Sequence, residues 1–250
     1  FVRTIAILLV VVNHSIELVF PFYSVSEFSE VSCVGQFFQF SMFTLGRLGV
    51  PLFFMLTGYL LVARQYDTRS KILNFYKKNL LGLYVLWCVW IVIYNVFLYY
   101  YDDSSIVLKD LLLEFLLIKA VPLMHSWYMR DILLIYVFLP FLSIFLNKIR
   151  IKRVLVIIIS ILCLEIVNSA FGGIRYYGFI TMKLMYVAYI IWGYYLSKSV
   201  IHINKIVSSI VFIVFFGGLV VYQVQLSNMG QFYSVWYSNP VHYISSIFLS

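Results

Sequence analysis

The sequence predicts an all-α, polytopic transmembrane helix bundle. Three observations predict it: hydrophobic residues make up 63% of the 250 residues, charged residues make up only 11%, and the mean hydropathy is +0.97. A soluble domain carries roughly 25% charged residues, so these charges are too few to cover a water-facing surface. A soluble enzyme, a disordered protein and a nucleic-acid binder are therefore excluded, in spite of a net charge of +8.

The spans follow from the lengths of the apolar runs. A helix needs about 20 mainly apolar residues to cross the hydrocarbon core, and the runs lack the period-two alternation of barrel strands. About eight spans are predicted, at residues 4–22, 45–63, 80–101, 131–145, 154–171, 179–196 and 206–226, with an eighth beginning near Val241. Because the chain begins with Phe1 and stops inside an apolar run, we expect residues 1–250 to be one membrane-embedded domain that is incomplete at both ends.

The loops predict a cytoplasmic N-terminus. With that orientation the inner segments hold 12 Lys and Arg residues and the outer segments hold five, which agrees with the positive-inside rule. The longest outer loop contains an amphipathic stretch at 107–121, which is typical of a short helix lying at the membrane interface. A solvated connector and a substrate lid both remain open for it.

The first span carries three ionisable residues, Arg3, His14 and Glu17. Such groups are costly inside a membrane and usually face a cavity or a partner. Arg3 and His14 are eleven residues apart, which in a helix places them on one face about 16 Å apart along the axis. Glu17 follows His14 by one turn and lies within its reach. The pattern predicts a polar stripe with a cation at one end and a His–carboxylate pair near mid-membrane.

Two interpretations of this polar stripe are possible, one catalytic and one structural. An imidazole held by a carboxylate is a general base that can activate a hydroxyl, and an arginine is suited to holding phosphate. A ligand with phosphates at one end and a reactive acyl group along a thin arm, such as acyl-coenzyme A, matches the separation. Alternatively, His14 and Glu17 only satisfy neighbouring polar groups in the bundle.

Four segments together resemble membrane acyltransferase family 3, the bacterial enzymes that O-acylate surface polysaccharides. The first is the arginine, ten residues and histidine of Arg3 to His14. The second is GRLGVPLFFMLTGYLL. The others are His-Ser-Trp-Tyr from His125, with Pro140 after it, and a weaker match at 186–196. They occur in family order and cover residues 1 to about 200.

The resemblance implies a bundle of about ten helices, an inner acyl-coenzyme A site and an acceptor handled on the outer side. His14 is then similar to the family's catalytic histidine, and Arg3 to its paired arginine in the donor site. It also implies a multi-pass protein of the bacterial inner membrane. We expect acyl-coenzyme A to be a substrate, with no permanently bound cofactor, no metal and no nucleic acid.

The sequence departs from the family pattern before the third span. There the family usually has two arginines three residues apart, thought to meet the coenzyme's phosphates, and Asn79 and Gly82 occupy those places here. Lys77 and Lys78 can serve as point charges for phosphate, without the bidentate geometry of arginine. The alternative is that both lysines are ordinary positive-inside anchors.

Three further residues are expected at an acceptor site: Arg47, His125 and Trp127. Arg47 lies at an edge of the second span beside Gly46 and Gly49, which allow a neighbouring helix or substrate to approach closely. It is expected to hold an acidic group of the acceptor or to pair with Glu17; the alternative is an interfacial arginine that snorkels. His125 follows from the family pattern, whereas Trp127 also suits an interfacial belt.

The sequence therefore predicts an integral-membrane O-acyltransferase. It would move an acyl group, expected to be acetyl, from acyl-coenzyme A to a hydroxyl of a cell-surface glycan or lipid-linked sugar, with His14 as base and Glu17 orienting its ring. Two other functions stay open at this point. One is a transporter or exporter of a small solute, and the other is a non-catalytic scaffold derived from the enzyme family.

Overall fold

The structure, a computed structural model, describes residues 1–20, 31–101, 107–119, 121, 126–170, 175–199, 204–229 and 239–249, with the backbone alone at 168–170, 175–182 and 249. These residues form helices and their connections, and they contain no strand. The predicted all-α class is confirmed.

The described helices form two compact units. In chain order, the helices and π turns are α1 (Val2–Val19), α2 (Cys33–Gly46), α3 (Gly49–Thr57), a first π turn (Gly58–Val62), α4 (Arg69–Phe75), a second π turn (Tyr76–Leu80), α5 (Leu81–Tyr101), α6 (Leu108–Phe115), α7 (Ser126–Lys148), α8 (Ile151–Ala170), α9 (Arg175–Ser197), α10 (Lys205–Asn228) and α11 (Pro240–Leu249). The first unit contains α1 to α3 with the first π turn, and α8 to α11. The second contains α4 to α7 and the second π turn.

Five stretches of the described residues are long and apolar enough to cross a membrane. They are Val2–Val19, Cys33–Val62, Arg69–Tyr101, Ser126–Lys148 and Lys205–Asn228. They overlap the first four predicted spans and the seventh, and α8 and α9 lie at the fifth and sixth. The total of about eight spans and the cytoplasmic N-terminus stay predictions.

Two of these stretches begin well before the predicted spans because capping residues start their helices early. The Ser32 side chain accepts a hydrogen bond from the Gly35 amide, 3.3 Å away, at the start of α2. The Thr68 hydroxyl accepts one from the Lys71 amide, at 3.4 Å, at the start of α4. Such caps satisfy amides that a first helical turn leaves without partners. The residues after each cap are partly polar, so hydropathy alone located only the later part of each helix.

Glycines bring α3 and α9 of the first unit into backbone contact. A Cβ atom at Gly193 would overlap the carbonyl oxygen of Met55, and one at Gly58 would overlap that of Ile190. Close approach through small residues is how membrane helices gain packing energy where lipid supplies no hydrophobic drive. Beside this contact, Phe54 stacks on Tyr186 with ring centroids 4.7 Å apart.

Gly193→Ala is expected to destabilise the protein by about 1–3 kcal/mol, because overpacking a close contact forces backbone shifts. Gly217→Ala is the matched control, since a Cβ at Gly217 meets nothing within 4 Å. The unfolding midpoint of the purified protein in detergent measures both variants. Equal midpoints for Gly193→Ala and Gly217→Ala would refute the close contact.

In the second unit, α6 packs on α5 through buried polar contacts as well as apolar ones. Glu114 is buried and accepts a hydrogen bond of 2.9 Å from the amide nitrogen of Asn95. The Tyr84 hydroxyl donates to the carbonyl of Phe115 at 3.1 Å, and Trp87 lies in the adjacent core cluster. The predicted helix within 107–121 is therefore confirmed as α6, and its buried Glu114 shows that it packs on α5. Its role as a connector or a lid stays open.

Candidate active site

A single helix carries Arg3, His14 and Glu17, as predicted. Because α1 is continuous from Val2 to Val19, Arg3 and His14 share one face about 16 Å apart along the axis. Arg3 is exposed in the first turn, whereas His14 and Glu17 are partly buried. The polar stripe expected from the spacing is therefore present on α1.

His14, Glu17 and Arg47 form a connected chain of polar contacts. The Nδ1 atom of His14 lies 3.2 Å from Oε2 of Glu17. The other carboxylate oxygen, Oε1, accepts a hydrogen bond of 2.8 Å from Nη2 of Arg47. The side chain of Arg47 is only 4% exposed, against 18% for Glu17 and 31% for His14. Accessibility therefore increases from the arginine to the imidazole, which is the most accessible group of the three.

A break between two helices positions Arg47. Residues Arg47 and Leu48 form a turn between α2 and α3. Pro51 has no amide hydrogen to donate to the carbonyl of Arg47, four residues earlier, so a regular helix cannot continue through this point. The guanidinium lies over the ring of Phe43, 4.4 Å from its centroid, one turn earlier on α2. The proline and this stacking together hold the guanidinium toward α1.

The glycines beside Arg47 allow α1 to approach closely. A Cβ atom at Gly46 would lie 2.7 Å from the backbone nitrogen of Asn13, and one at Gly49 would lie 2.7 Å from the carbonyl oxygen of Ala6. The close approach expected from these glycines is confirmed, and its partner is α1. The same contacts show that the chain from α2 into α3 runs antiparallel to α1.

Arg47 was expected to hold an acceptor's acidic group or to pair with Glu17, and the structure places it in the second arrangement. Its guanidinium is buried against Glu17 and Phe43. A buried arginine needs such compensation, and the carboxylate of Glu17 provides it. Direct binding of an acceptor by Arg47 stays a prediction.

Three buried residues near Arg47 were missed by the sequence reasoning. Thr44 and Gln223 are fully buried and joined by a hydrogen bond of 2.7 Å from the Gln223 amide nitrogen to the threonine hydroxyl. His242 on α11 is also fully buried and lies within electrostatic reach of Arg47 and the Thr44 backbone. The rule that selected His14, an ionisable residue in an apolar run, would have found His242. Gln223 carries no charge, so nothing in its own segment marks it.

Lys78 lies on a basic cavity of the second unit. The cavity has a volume of about 160 Å³ and is lined by Arg64, Gln65, Tyr66, Lys71, Asn74, Phe75, Lys78 and Asn79. The carbonyl of Arg64 accepts a hydrogen bond of 3.0 Å from Ser143 of α7, which anchors this loop. Three cations at one small polar cavity form an environment suited to an anion. Arg64, which the sequence reasoning treated only as an orientation signal, belongs to this set.

Two other groups shape the electrostatics of the basic cavity. Burial raises the pKa of the Tyr66 hydroxyl to about 12, so this group remains protonated and able to donate a hydrogen bond at neutral pH. A hydrogen bond from Lys71 lowers the pKa of Asp67, and their ion pair measures 2.7 Å. Lys71 is therefore paired with Asp67, whereas Arg64 lies on the same cavity with its Nη1 atom 3.5 Å from Oδ1 of Asn79.

Lys77 occupies a different environment from Lys78. It lines an apolar cavity of about 420 Å³ together with Tyr76, Leu80, Leu81, Tyr84, Leu117, Leu133 and Val137. Both lysines lie on the second π turn. This widened geometry is rare in proteins, but where it occurs it is often found at functional sites. Consecutive helical residues project about 100° apart, so the two side chains reach different cavities and the structure separates residues that the sequence treated as a pair.

Of the remaining predicted site residues, the structure describes Trp127, which belongs to the second unit. Trp127 is half-buried on α7 and meets Tyr128 edge to face at 6.0 Å. His125 lies outside the described residues. The part of the chain that the structure describes contains no group of three or more metal-ligating side chains. The acceptor roles of His125 and Trp127, and a metal-free mechanism, stay predictions.

The arrangement on α1 and α2 supports proton transfer. A neutral imidazole whose Nδ1 is held by a carboxylate presents Nε2 as a base, and the carboxylate stabilises the imidazolium that forms. Among the described residues, His14 and Glu17 combine an accessible imidazole with a carboxylate that is ion-paired to Arg47.

The whole chain matches a known family. The model of acyltransferase family 3, described as an acyltransferase domain, matches residues 1–250. No curated protein and no solved structure matches the chain. The family match covers the helices that carry His14, Glu17 and Arg47, and five apolar stretches of the described residues are suited to crossing a membrane. The chain belongs to acyltransferase family 3 and is a multi-pass membrane acyltransferase.

Proposed function

We propose that the protein moves an acyl group, expected to be acetyl, from acyl-coenzyme A to a hydroxyl of a cell-surface glycan or lipid-linked sugar in the bacterial inner membrane. The connected chain of His14, Glu17 and Arg47 carries this proposal. It supplies an oriented base for hydroxyl activation, and membership of an acyltransferase family favours acyl transfer over solute transport.

The proposed reaction is a direct transfer. Nε2 of His14 takes the proton of the acceptor hydroxyl as its oxygen attacks the thioester carbonyl carbon. The carbon–sulfur bond then breaks, and the leaving thiolate takes the proton back from the imidazolium. Glu17 holds the ring through Nδ1, and Arg47 holds Glu17. Each cycle converts one thioester and one alcohol into one ester and one thiol, and it leaves His14 neutral.

Two sets of cations are suited to the donor's phosphates. Arg3 is exposed at the end of α1 that lies about 16 Å from His14, which fits a coenzyme whose acyl arm follows the helix. The basic cavity with Arg64 and Lys78 supplies a second anion site. Arginine can bind phosphate through two parallel hydrogen bonds. Arg64 would therefore supply the bidentate contact that Asn79 and Gly82 cannot make.

Alanine at Lys78 or at Arg64 is expected to raise the KM for acetyl-coenzyme A about tenfold, the factor for a lost charge-assisted hydrogen bond. Lys77→Ala is the matched comparison, because it removes the same charge from the same π turn but from an apolar cavity. The KM for acetyl-pantetheine, which lacks the nucleotide phosphates, should respond to neither change.

Steady-state kinetics of the purified protein measure these constants. A larger rise in KM for Lys77→Ala than for Lys78→Ala would place the phosphates elsewhere. The overall proposal is tested by mass spectrometry of the products formed from acetyl-coenzyme A and a sugar acceptor. An ester on the sugar supports it. The absence of any coenzyme binding or ester would favour a non-catalytic scaffold.

A further inference from the structure

One cavity of the second unit takes no part in the proposed reaction. It is the apolar cavity beside Lys77, and its volume of about 420 Å³ lies within the range of about 300–1,000 Å³ typical of small-molecule sites. Its walls come from the second π turn, α5 and α7, and from Leu117 after α6. The helices α5 and α7 belong to two of the stretches suited to crossing a membrane, and Leu81 and Val137 at the cavity are exposed. The cavity therefore opens where lipid is expected.

Lys77 is the charged residue of this cavity, and the other lining residues among those described are leucine, valine and tyrosine. Its side chain is exposed, and it forms no ion pair within the described part of the chain. The Tyr76 hydroxyl donates to the carbonyl of Val137 at 2.8 Å. The Tyr84 hydroxyl donates to the carbonyl of Phe115 at 3.1 Å, so the hydrogens of both hydroxyls are already used within the protein. The cavity therefore combines one cation with walls that are otherwise apolar.

The cation lies near the basic end of these helices. The Ser143 hydroxyl donates to the carbonyl of Arg64 at 3.0 Å. The next contact along the chain joins Tyr76 to Val137, which lies earlier on α7 than Ser143. The chain from Arg64 into α5 therefore runs antiparallel to α7, and Lys148 at the end of α7 lies on the same side as Arg64. Basic residues at this end mark the side of the membrane predicted to be cytoplasmic.

From this end the cavity extends deeper along α5. Tyr84 follows Lys77 by seven residues, or about 10 Å along a helix axis. Leu117 completes the wall after α6 with a φ of 61°, a left-handed conformation that bulky residues rarely adopt and glycine adopts without strain. Strained residues of this kind are frequent where ligands are clamped, and here the leucine keeps an apolar side chain on the cavity.

A cation at one end and an apolar wall beyond it are suited to an amphipathic anion. A free phosphate would contact Lys77 and leave the apolar wall uncovered, whereas a neutral lipid would cover the wall and leave the cation without a partner. An anionic phospholipid has its phosphate at the level of the headgroups and its acyl chains below, and basic side chains at the cytoplasmic ends of spans attract such lipids. Lysine suits this place because its stem can follow the wall while its ammonium reaches the headgroups.

We propose that the apolar cavity is a binding site for one anionic phospholipid, whose phosphate is held by the ammonium of Lys77 and whose acyl chain lies on α5 and α7 against Leu117. The site is independent of the proposed function, because neither His14 nor the coenzyme takes part in it. It gives the two neighbouring lysines different partners: Lys78 lies on the basic cavity, and Lys77 holds the lipid.

The test measures lipid binding to the purified protein by native mass spectrometry in a neutral detergent. Two probes are phosphatidylglycerol and phosphatidylcholine with the same acyl chains, which differ in the net charge of the headgroup. The third probe is glycerol 3-phosphate, which carries the anion without any acyl chain.

Two pairs of variants separate the charge from the cavity. Lys77→Gln removes the cation, and Lys78→Gln is its matched control, because it removes the same charge from the next residue, which lines a different cavity. Val137→Trp fills the apolar cavity. Phe138→Trp is the control for that change, since Phe138 is the neighbouring exposed residue and does not line the cavity.

The wild-type protein is expected to bind one phosphatidylglycerol at saturation. Lys77→Gln should raise the dissociation constant of phosphatidylglycerol about tenfold, the factor for a lost hydrogen bond to a charged group, and should leave that of phosphatidylcholine unchanged. Lys78→Gln should change both constants by less than about twofold, as expected of an exposed charge outside the site. Val137→Trp should weaken the binding of both lipids, whereas Phe138→Trp should weaken neither. Unfolding midpoints of the lipid-free proteins within a few degrees of wild type show that the variants fold.

Three results would overturn the inference. Equal weakening by Lys77→Gln and Lys78→Gln would mean that the two cations act only as a general positive surface. Phosphatidylglycerol binding that survives Val137→Trp unchanged would place the acyl chain elsewhere. Displacement of the lipid by glycerol 3-phosphate would mean that an anion alone occupies Lys77. Because no acyl transfer is measured, none of these results bears on the proposed function.

Discussion

Replacing His14 by alanine is expected to lower the acyl-transfer rate by about 10²–10⁴-fold, the contribution typical of a positioned general base. His14 is the most accessible of the three connected groups, and its Nδ1 is held by Glu17 at 3.2 Å. Without the imidazole, the acceptor hydroxyl must lose its proton to water during attack. The rate is measured as ester formation from saturating acetyl-coenzyme A by purified protein.

Ser15→Ala is the matched control for this measurement. Ser15 is the next residue of α1 and is exposed, so its replacement perturbs the same turn without touching the connected chain. We expect wild-type rates for Ser15→Ala and an unchanged unfolding midpoint for both variants. A His14→Ala protein that folds and transfers at the wild-type rate would remove the base from the mechanism.

The second large effect concerns the pair formed by the buried Arg47 and the partly buried Glu17. Arg47→Met leaves the carboxylate without its 2.8 Å partner. Because Glu17 is 18% exposed, the loss of stability should not exceed the value of about 3–5 kcal/mol typical of a fully buried pair. Arg47→Met also frees Glu17 to move away from His14, so the transfer rate should fall as well. Both quantities are measured on the same preparation.

A double-mutant cycle separates this pair from its surroundings. Glu17→Gln removes the carboxylate, and in the double variant with Arg47→Met neither residue leaves an unpaired charge. The double variant should therefore be more stable than the sum of the two single losses, by a coupling energy of about 0.5–3 kcal/mol. Strictly additive losses would mean that the contact of Arg47 and Glu17 contributes nothing.

The features that the sequence predicted best are those set by local periodicity. Arg3, His14 and Glu17 lie on one uninterrupted helix, so a spacing of eleven and three residues determines their common face. The pairing of Arg47 with Glu17 was one of the arrangements expected from the sequence. It joins residues of two different helices, and Gly46 and Gly49 allow the close contact that makes it possible.

The features that the sequence did not predict depend on contacts between distant segments. Gln223 bonds to Thr44 across 179 positions of the chain, and a neutral amide in an apolar helix gives no local signal of a partner. Arg64 looked like one of many inner cations, and only the fold of its loop places it beside Lys78. Lys77 and Lys78 project about 100° apart as consecutive helical residues, but only the fold shows that they reach two different cavities.

The acidity of the acceptor provides the most direct test of His14 as the base. A general base matters less when the hydroxyl already loses its proton readily. Transfer rates of wild type and His14→Ala should therefore be compared across alcohols of falling pKa, ending with a phenol. If His14 is the base, the deficit of His14→Ala should shrink steadily toward the phenol. A deficit that stays constant across the series would contradict it and leave His14 with a structural role.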